Sequence, residues 1–261
     1  KIIGDDINAP HMRRAREAIL REGGAARANV FTRFALALFG QVPWHAVPVM
    51  PVELMLVPRW FPFSLGKMAY WSRTVIAPLL ILMALKPLAR NPKGVDIHEL
   101  FVVPAERETD FNSNPTGSFW GDLLLVADRG LRLLEPYFPR GLRRRAIERT
   151  VTYMTERLNG EDGLGAIFPA MVNATMAFDA LGYAADHPDL VTARRAVDKL
   201  LVVKEDRIYC QPCVSPVWDT GLSAHALMEA GEAPDGAVLK DPGATAKGER
   251  VATVPQTPPS T

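Results

Sequence analysis

Helical periodicity is the feature that most restricts the fold of this 261-residue sequence. In residues 120–138 apolar side chains recur at spacings of four and three, which draws one stripe along a helix: Leu124, Ala127, Leu131, Leu134 and Phe138. Similar spacings occur within residues 26–39, at Val30, Phe34 and Leu38, and within residues 189–203, at Ala193, Ala196, Leu200 and Val203. Strand-like alternation is almost absent. The sequence therefore predicts an all-α fold in which each helix buries one face.

Proline and glycine mark where these helices are expected to begin and end. Pro10 predicts the start of the first helix, and Gly23 with Gly24 predicts its end. Further stops are expected at Gly40, Gly182 and Gly231, and Asp219 is expected to cap the last helix. Proline-rich loops separate the helices at residues 41–51, 86–93 and 104–119. Successive helix pairs of this kind favour a stacked or circular α/α arrangement.

Charge and composition narrow the function classes. With 30 basic against 29 acidic residues the net charge is +1, so nucleic acid is not an expected partner. No apolar leader is recognisable near Lys1, and a cytoplasmic location is the default expectation. From residue 232 onward there is no aromatic residue and few large aliphatic ones, which predicts a flexible tail over 232–261 and a folded domain over 1–231.

Three segments bear on membrane contact. Residues 75–85 (VIAPLLILMAL) carry no charge, but a helix of this length covers about 16 Å against about 30 Å of hydrocarbon, so a buried core helix is predicted. Residues 58–71 (PRWFPFSLGKMAYW) mix aromatic residues with Arg59 and Lys67, a composition that also suits a membrane surface. The basic run Arg140, Arg143, Arg144 and Arg145 favours a solvated helix face, although it could meet anionic lipid. Peripheral membrane contact therefore stays open.

Cys210 and Cys213 have the C-x-x-C spacing found in redox and zinc proteins. They are the only two cysteines, and the nearest histidines, His187 and His225, do not lie at ligand spacing. Neither a redox pair nor a metal site is favoured. The simpler interpretation is two small apolar side chains in a buried loop.

Four segments together resemble the bacterial squalene-hopene cyclases: GDDINAPHMRRAREAIL from Gly4, FTRFALALFGQVPW from Phe31, GEDGLGAIFPAM from Gly160 and SPVWDTGL from Ser215. The resemblance covers residues 1–231. It implies an incomplete α/α barrel of the toroid type. It also implies an isomerase that folds squalene in a dry pocket, protonates its terminal double bond and lets carbocations run through successive ring closures, without a cofactor or metal.

The resemblance also implies six residues that line the substrate pocket: Phe31, Trp71, Ile167, Phe168, Pro169 and Trp218. Trp71 and Trp218 would contact the substrate or its cations, and Ile167 would shape the chain at ring closure. Such residue types suit the chemistry, because aromatic faces attract a cation without trapping it and apolar walls exclude water. From the residues alone, ordinary core packing is the other explanation for each.

One family feature is absent from this sequence. The Asp-x-Asp-Asp motif, whose central aspartic acid donates the starting proton, does not occur, and in the family it lies beyond the position of Trp218. We interpret Asp5 and Asp6 as acidic residues that precede the first helix and stabilise its amino-terminal end. We therefore expect an incomplete cyclase that needs the carboxy-terminal part of the enzyme and is inactive alone. The alternatives are a non-catalytic isoprenoid- or lipid-binding α/α module, an oxidosqualene-type cyclase and a C-x-x-C redox protein.

Overall fold

The computed structural model describes residues 1, 4–62, 64–109, 111–114, 117–160, 162–213 and 216–231, with the backbone alone for 216–220. The chain divides into two compact units. Unit 1 comprises Lys1–Leu56 and Leu80–Ile147, and unit 2 comprises Val57–Leu79 and the described residues of Glu148–Thr261. The tail expected at 232–261 lies outside the described residues, so the boundary at residue 231 stays a prediction.

Helices make up most of the described structure. The α-helices are α1 (Pro10–Arg21), α2 (Val30–Leu38), α3 (Tyr70–Leu85), α4 (Phe119–Leu134), α5 (Arg140–Thr155), α6 (Phe168–Ala180), α7 (Pro188–Asp198) and α8 (Pro216–Glu229). Short 3-10 helices are Ala25–Arg27, Trp44–Ala46, Val52–Leu56, Leu65–Lys67, His98–Leu100 and Glu135–Tyr137. The strands are β1 (Leu158–Asn159), β2 (Gly163–Leu164), β3 (Leu201–Val203) and β4 (Ile208–Cys210); β1 pairs with β2 and β3 with β4, both antiparallel. The all-α prediction is confirmed.

In unit 1, α1 starts at Pro10, as predicted, and α2 occupies Val30–Leu38 of the segment 26–39 in which helical spacing was recognised. The side chain of Asn29 caps α2 by accepting a hydrogen bond from the Thr32 backbone N–H at 2.9 Å. Phe34 and Leu38 are buried, and the Phe34 ring meets the Trp44 ring edge to face with centroids 5.8 Å apart. The apolar stripe of α2 therefore packs inward over its second half.

A buried arginine ties α2 to the proline-rich loop before α4. The guanidinium of Arg33, 8% exposed, donates hydrogen bonds to the carbonyl oxygen of Phe111 and, at 2.9 Å, to Oδ1 of Asn112. Burial, and then the charge of Arg27, lower the pKa of Arg33 from its ordinary value. The backbone carbonyl of the loop thus has a charged donor in the core, which fixes the loop against α2.

The apolar run at residues 75–85 forms most of α3, and residues 79–83 are all buried. This confirms the prediction of a core helix. Pro78 lies inside the helix. Among the described residues, no helix is both long and apolar enough to cross a membrane.

In unit 2, α6 and α7 pack together around Met171, Ala196 and Leu200. Gly163 allows the β1–β2 hairpin to lie against this cluster, because a Cβ at that position would come 2.5 Å from the Cβ of Ala196. The helix predicted over 189–203 is too long. It ends at Asp198, because the carbonyl of Leu200 accepts a hydrogen bond from the Gln211 N–H at 2.7 Å and the chain continues as β3.

The prediction that Asp219 caps the last helix is wrong. Helix α8 begins three residues earlier, at Pro216, so Asp219 lies inside the helix. Proline suits the first helical position because its φ is already helical and it has no N–H that needs a partner. The expected stop at Gly231 agrees with its φ of 95°.

Candidate functional site

Three of the predicted pocket residues lie at the start of α6. Ile167 precedes the helix in an extended conformation and forms an isolated antiparallel bridge with Cys213. The N–H of Phe168 donates to the carbonyl oxygen of Pro212 at 2.8 Å. Phe168 is 37% exposed, and Ile167 and Pro169 are half-buried. The loop that carries the two cysteines therefore fixes the backbone of this triplet.

A close approach in unit 2 brings α3 beside the same triplet. Gly165 has φ +72°, and a Cβ added to it would lie 2.7 Å from Oγ1 of Thr74. Thr74 is buried, and its Oγ1 donates to the carbonyl oxygen of Trp71 at 2.7 Å. The next residue, Ala166, is also left-handed at φ 54°, which is uncommon without glycine. The backbone that carries Trp71 is thus adjacent to the turn that leads into Ile167.

Trp71 is 62% exposed and Phe31 is 61% exposed. The sequence had left core packing open as an alternative explanation. It does not account for these two exposed aromatic side chains. Phe31 belongs to unit 1, and the other described pocket candidates belong to unit 2. The side chain of Trp218 lies outside the described residues.

The acidic residues near the chain start do not have the environment that alkene protonation requires. Asp5 and Asp6 are exposed; Asp5 contacts the His11 ring at 3.1 Å, and Asp6 accepts a hydrogen bond from the Asn8 N–H at 2.9 Å. A carboxylic acid that protonates a weak base is held protonated in a dry site. Neither residue is held in that way.

The expectation that Cys210 and Cys213 lie in a buried loop is wrong, because both thiols are exposed. Cys210 ends β4, where it pairs with Leu201, and Cys213 forms its bridge with Ile167, so two different backbone segments hold the two cysteines. Among the described residues, no group of three His, Cys, Asp or Glu could hold a metal ion. The redox interpretation gains no support.

Helix α4 differs most from the sequence prediction, which placed its apolar stripe in the core. None of its residues is buried, and Leu124 and Leu134 are 64% and 57% exposed. Its polar side faces the protein instead: Oδ1 of Asp128 accepts the Val49 N–H at 2.6 Å. Periodicity located this stripe without showing which way it faces. The aromatic residues at the two ends, Phe119, Trp120 and Tyr137, were the signal that the sequence reasoning missed.

An open groove of about 400 Å³ lies in unit 1 between α1 and residues 95–100. Its walls are mainly apolar and include Met12, Ile19 and Ile97. Phe31, Trp71, Ile167, Phe168 and Pro169 are not among the described residues that line it.

Comparison with known proteins assigns the family. Residues 1–206 match the family model described as "Squalene-hopene cyclase N-terminal domain". The chain belongs to this family. The family has an α/α toroid fold, so the resemblance and the fold class inferred from the motifs are both confirmed.

Individual members of the family are close in sequence. The chain is 55% identical over 232 residues to the squalene-hopene cyclase of Bradyrhizobium diazoefficiens, covering 88% of this chain and 35% of that protein. It is 54% identical over 237 residues to the squalene-hopene cyclase of Zymomonas mobilis, covering 88% and 36%. A dammaradiene synthase from Dryopteris crassirhizoma is 28% identical over 235 residues, covering 90% and 34%. The chain thus spans about a third of the length of the curated relatives it matches.

Proposed function

We propose that this chain supplies part of the substrate pocket of a squalene-hopene cyclase, an isomerase that cyclises squalene through a protonation-initiated carbocation cascade. The observation that carries the proposal is the approach of Thr74 to Gly165, which puts the exposed Trp71 on a segment adjacent to Ile167, Phe168 and Pro169. These residue types are the ones that the family motifs place at the substrate. Their exposure supports a role outside the core.

In the proposed mechanism the residues guide a cation and exclude water. Trp71 and Trp218 would face the developing cations, and the face of an aromatic ring attracts a desolvated cation by about 2 kcal/mol or more. Ile167 would limit how the chain folds before each ring closure. Phe31, Phe168 and Pro169 would complete the apolar wall, which keeps water from ending the cascade early. The mechanism uses no cofactor or metal.

The starting proton is proposed to come from outside these residues. Protonating an alkene requires a strong, positioned acid, and neither Asp5 nor Asp6 is in a suitable environment. We therefore propose that the carboxy-terminal part of a cyclase, bearing the Asp-x-Asp-Asp motif, completes the site. In this proposal residues 1–231 form the incomplete α/α barrel domain, and residues 232–261 are a separate tail.

A chimera tests this proposal. Residues 1–206 would replace the matching segment of the Bradyrhizobium diazoefficiens cyclase, and hopene formation from squalene would be followed by gas chromatography. We expect an active chimera that loses at least about tenfold in rate with Trp71→Ala, since one cation-π contact of about 2 kcal/mol is removed. Trp60→Ala is the matched control, because Trp60 is an equally accessible tryptophan of unit 2, 78% exposed.

The outcomes separate the candidate functions. Hopene from the 261-residue chain alone would refute the need for an external acid. An inactive chimera that still binds labelled squalene saturably would favour a non-catalytic lipid-binding module instead. Conversion of oxidosqualene but not squalene would support the oxidosqualene-type alternative. Equal losses for Trp71→Ala and Trp60→Ala would remove the specific role of Trp71.

We also propose that the protein docks peripherally on a membrane, on its cytoplasmic side, through the apolar face of α4. This face presents Leu123, Leu124, Val126, Leu133 and Leu134, with Phe119 and Trp120 at one end and Tyr137 beyond the other, all exposed. Leucines flanked by aromatic residues are typical of a helix that lies in the interface. The following basic residues Arg140 and Arg145 are exposed and complement anionic lipid.

Vesicle sedimentation tests the docking. We expect the 261-residue chain to bind vesicles of phosphatidylcholine with 30% phosphatidylglycerol, and Leu134→Asp to weaken binding by about tenfold or more, since a charge replaces an apolar contact with lipid. Leu222→Asp in α8 is the matched control, because Leu222 is 64% exposed against 57% for Leu134. If both variants bind like the unmodified chain, α4 is not the docking surface. Concentration-dependent self-association without vesicle binding would indicate a protein partner for this face.

A further inference from the structure

Helix α4 is attached to unit 1 by polar side chains while its apolar side faces outward. Oδ1 of Asp128 accepts the Val49 backbone N–H at 2.6 Å, and Oδ2 of Asp128 pairs with the Arg132 guanidinium at 2.9 Å. Arg132 also donates to the carbonyl oxygen of Val47 at 3.3 Å. The two side chains therefore hold three consecutive residues of backbone, from Val47 to Val49, along one side of the helix.

The side chains that attach α4 lie on one side of its circumference. With about 100° per residue, Asp128 and Arg132 are separated by about 40°, and the exposed Leu123, Val126 and Leu134 lie on the other side. Asp122 lies about 120° from Asp128, is exposed, and accepts its hydrogen bond from Asn114 Nδ2 at 3.0 Å and not from residues 47–49. The usual arrangement of a surface helix, with apolar residues inward, is thus reversed.

The segment that receives these contacts begins in the core of unit 1. Val47 is 2% exposed and the preceding Ala46 is fully buried, while Val49, whose N–H meets Asp128, is half-buried. The side chain of Asp128 is itself only 14% exposed and that of Arg132 30%. A carboxylate that accepts a backbone N–H at this depth makes a strong, directional contact, which a solvated surface pair would not.

Without such an anchor an amphipathic helix on a protein surface would turn its apolar face inward, because that removes hydrocarbon from water. We propose that Asp128, paired with Arg132, is the positioning residue that holds the apolar face of α4 outward for lipid. This inference rests on the proposed membrane docking. The pair itself does not contact the bilayer; it acts by fixing the rotation of the helix.

The proposal makes a prediction that a merely structural role does not. If Asp128→Ala only loosened the helix, more apolar surface would be accessible, and binding of the dye anilinonaphthalene sulfonate would rise. If Asp128 sets the rotation of the helix, Asp128→Ala lets the apolar face turn inward. Dye binding then falls, and vesicle binding weakens by about tenfold, the factor that corresponds to about 1.4 kcal/mol for one charge-assisted hydrogen bond. Amide exchange of Val49 should accelerate in the same variant.

The experiment compares three variants of the 261-residue chain by vesicle sedimentation, dye fluorescence and circular dichroism. Asp128→Asn keeps the shape and one acceptor for Val49 but loses the ion pair, so we expect an intermediate loss. Asp122→Ala is the charge-matched control on the same helix, since Asp122 is exposed, and it should bind vesicles like the unmodified chain.

Each outcome is decisive. Equal vesicle binding and equal or increased dye binding for Asp128→Ala, with helix content retained, would overturn the positioning role and leave membrane docking intact. If the unmodified chain binds no vesicles, the docking itself fails, and this inference fails with it. If Asp128→Ala loses helix content, Asp128→Asn decides by the same two measurements.

Discussion

Replacing Gly165 by alanine should destabilise unit 2 by a sum of two separable effects. The residue has φ +72°, where an L-residue with a Cβ costs about 1–2 kcal/mol. The added Cβ would also lie 2.7 Å from Oγ1 and 3.1 Å from Cβ of Thr74, and overpacking a buried site typically costs about 1–3 kcal/mol. We therefore expect a loss of about 2–5 kcal/mol in the free energy of unfolding.

The control for backbone strain is Gly182→Ala. Gly182 has φ +81°, but no atom lies within 4 Å of the Cβ that alanine would add, so only the first cost applies. The difference between the two variants isolates the contact with Thr74. Adding Thr74→Ala to Gly165→Ala should recover about 1 kcal/mol relative to the sum of the single changes, because residues in contact are not additive.

Urea unfolding followed by circular dichroism measures these quantities. A loss of about 2–5 kcal/mol corresponds to a fall of about 5–15 °C in Tm for a protein of this size. If Gly165→Ala is no more destabilising than Gly182→Ala, the approach of α3 to the turn before Ile167 is wrong. The segment that carries Trp71 would then not be adjacent to Ile167, Phe168 and Pro169.

Other variants test the remaining features of the chain. Arg33→Met should lower the free energy of unfolding by about 2–3 kcal/mol in urea titrations, because the buried carbonyl of Phe111 loses a charged donor; a loss below 0.5 kcal/mol, on the order of a surface change, would contradict this. Cys210 and Cys213 should both react with Ellman's reagent in the native chain, and glutathione disulfide should add one glutathione to each by exchange with release of one glutathione thiol, whereas loss of both thiols as an intramolecular disulfide, seen by mass spectrometry, would contradict their separate pairing with Leu201 and Ile167. Burial raises the pKa of Tyr153 above its ordinary 10.0, so the folded state holds the phenolic proton more tightly than the unfolded state does. The contribution of this proton to the free energy of unfolding is present below pH 10 and is lost as the pH rises through the folded-state pKa. Tyr153→Phe should therefore reduce the fall in unfolding free energy above pH 10, and an unchanged slope would count against this assignment.

The sequence predicted where helices lie better than which way they face. The burial of α3 was predictable because residues 75–85 are apolar on every face of the helix. Apolar side chains therefore meet the core whichever way this helix is rotated. The stripe of α4 was equally clear, yet its orientation depends on Asp128 and Arg132 finding backbone partners at Val47 and Val49, which are far away in the sequence. Local periodicity contains no information about such partners.

The candidate site was predicted from motifs and not from physical pattern. Nothing in the composition distinguishes Trp71 or Phe31 from a core aromatic residue, and only their exposure in the structure separates the two explanations. The sequence alone gives no sign of the role of Gly165. Its role appears only when Thr74, from a distant helix, occupies the space that a Cβ would need.

A protein that handles squalene, as proposed here, needs apolar surface that stays accessible in water, and such surface tends to collapse onto the core. The two units resist that collapse by different means. In unit 1, Asp128 fixes a helix by polar contacts on the side away from the exposed Leu123, Val126 and Leu134. In unit 2, the buried Thr74 packs against Gly165 while Trp71, three residues earlier on α3, remains exposed. In both cases the residues that keep an apolar side chain exposed lie behind it and would not touch the lipid, so substitutions there should alter lipid handling without removing any lipid contact.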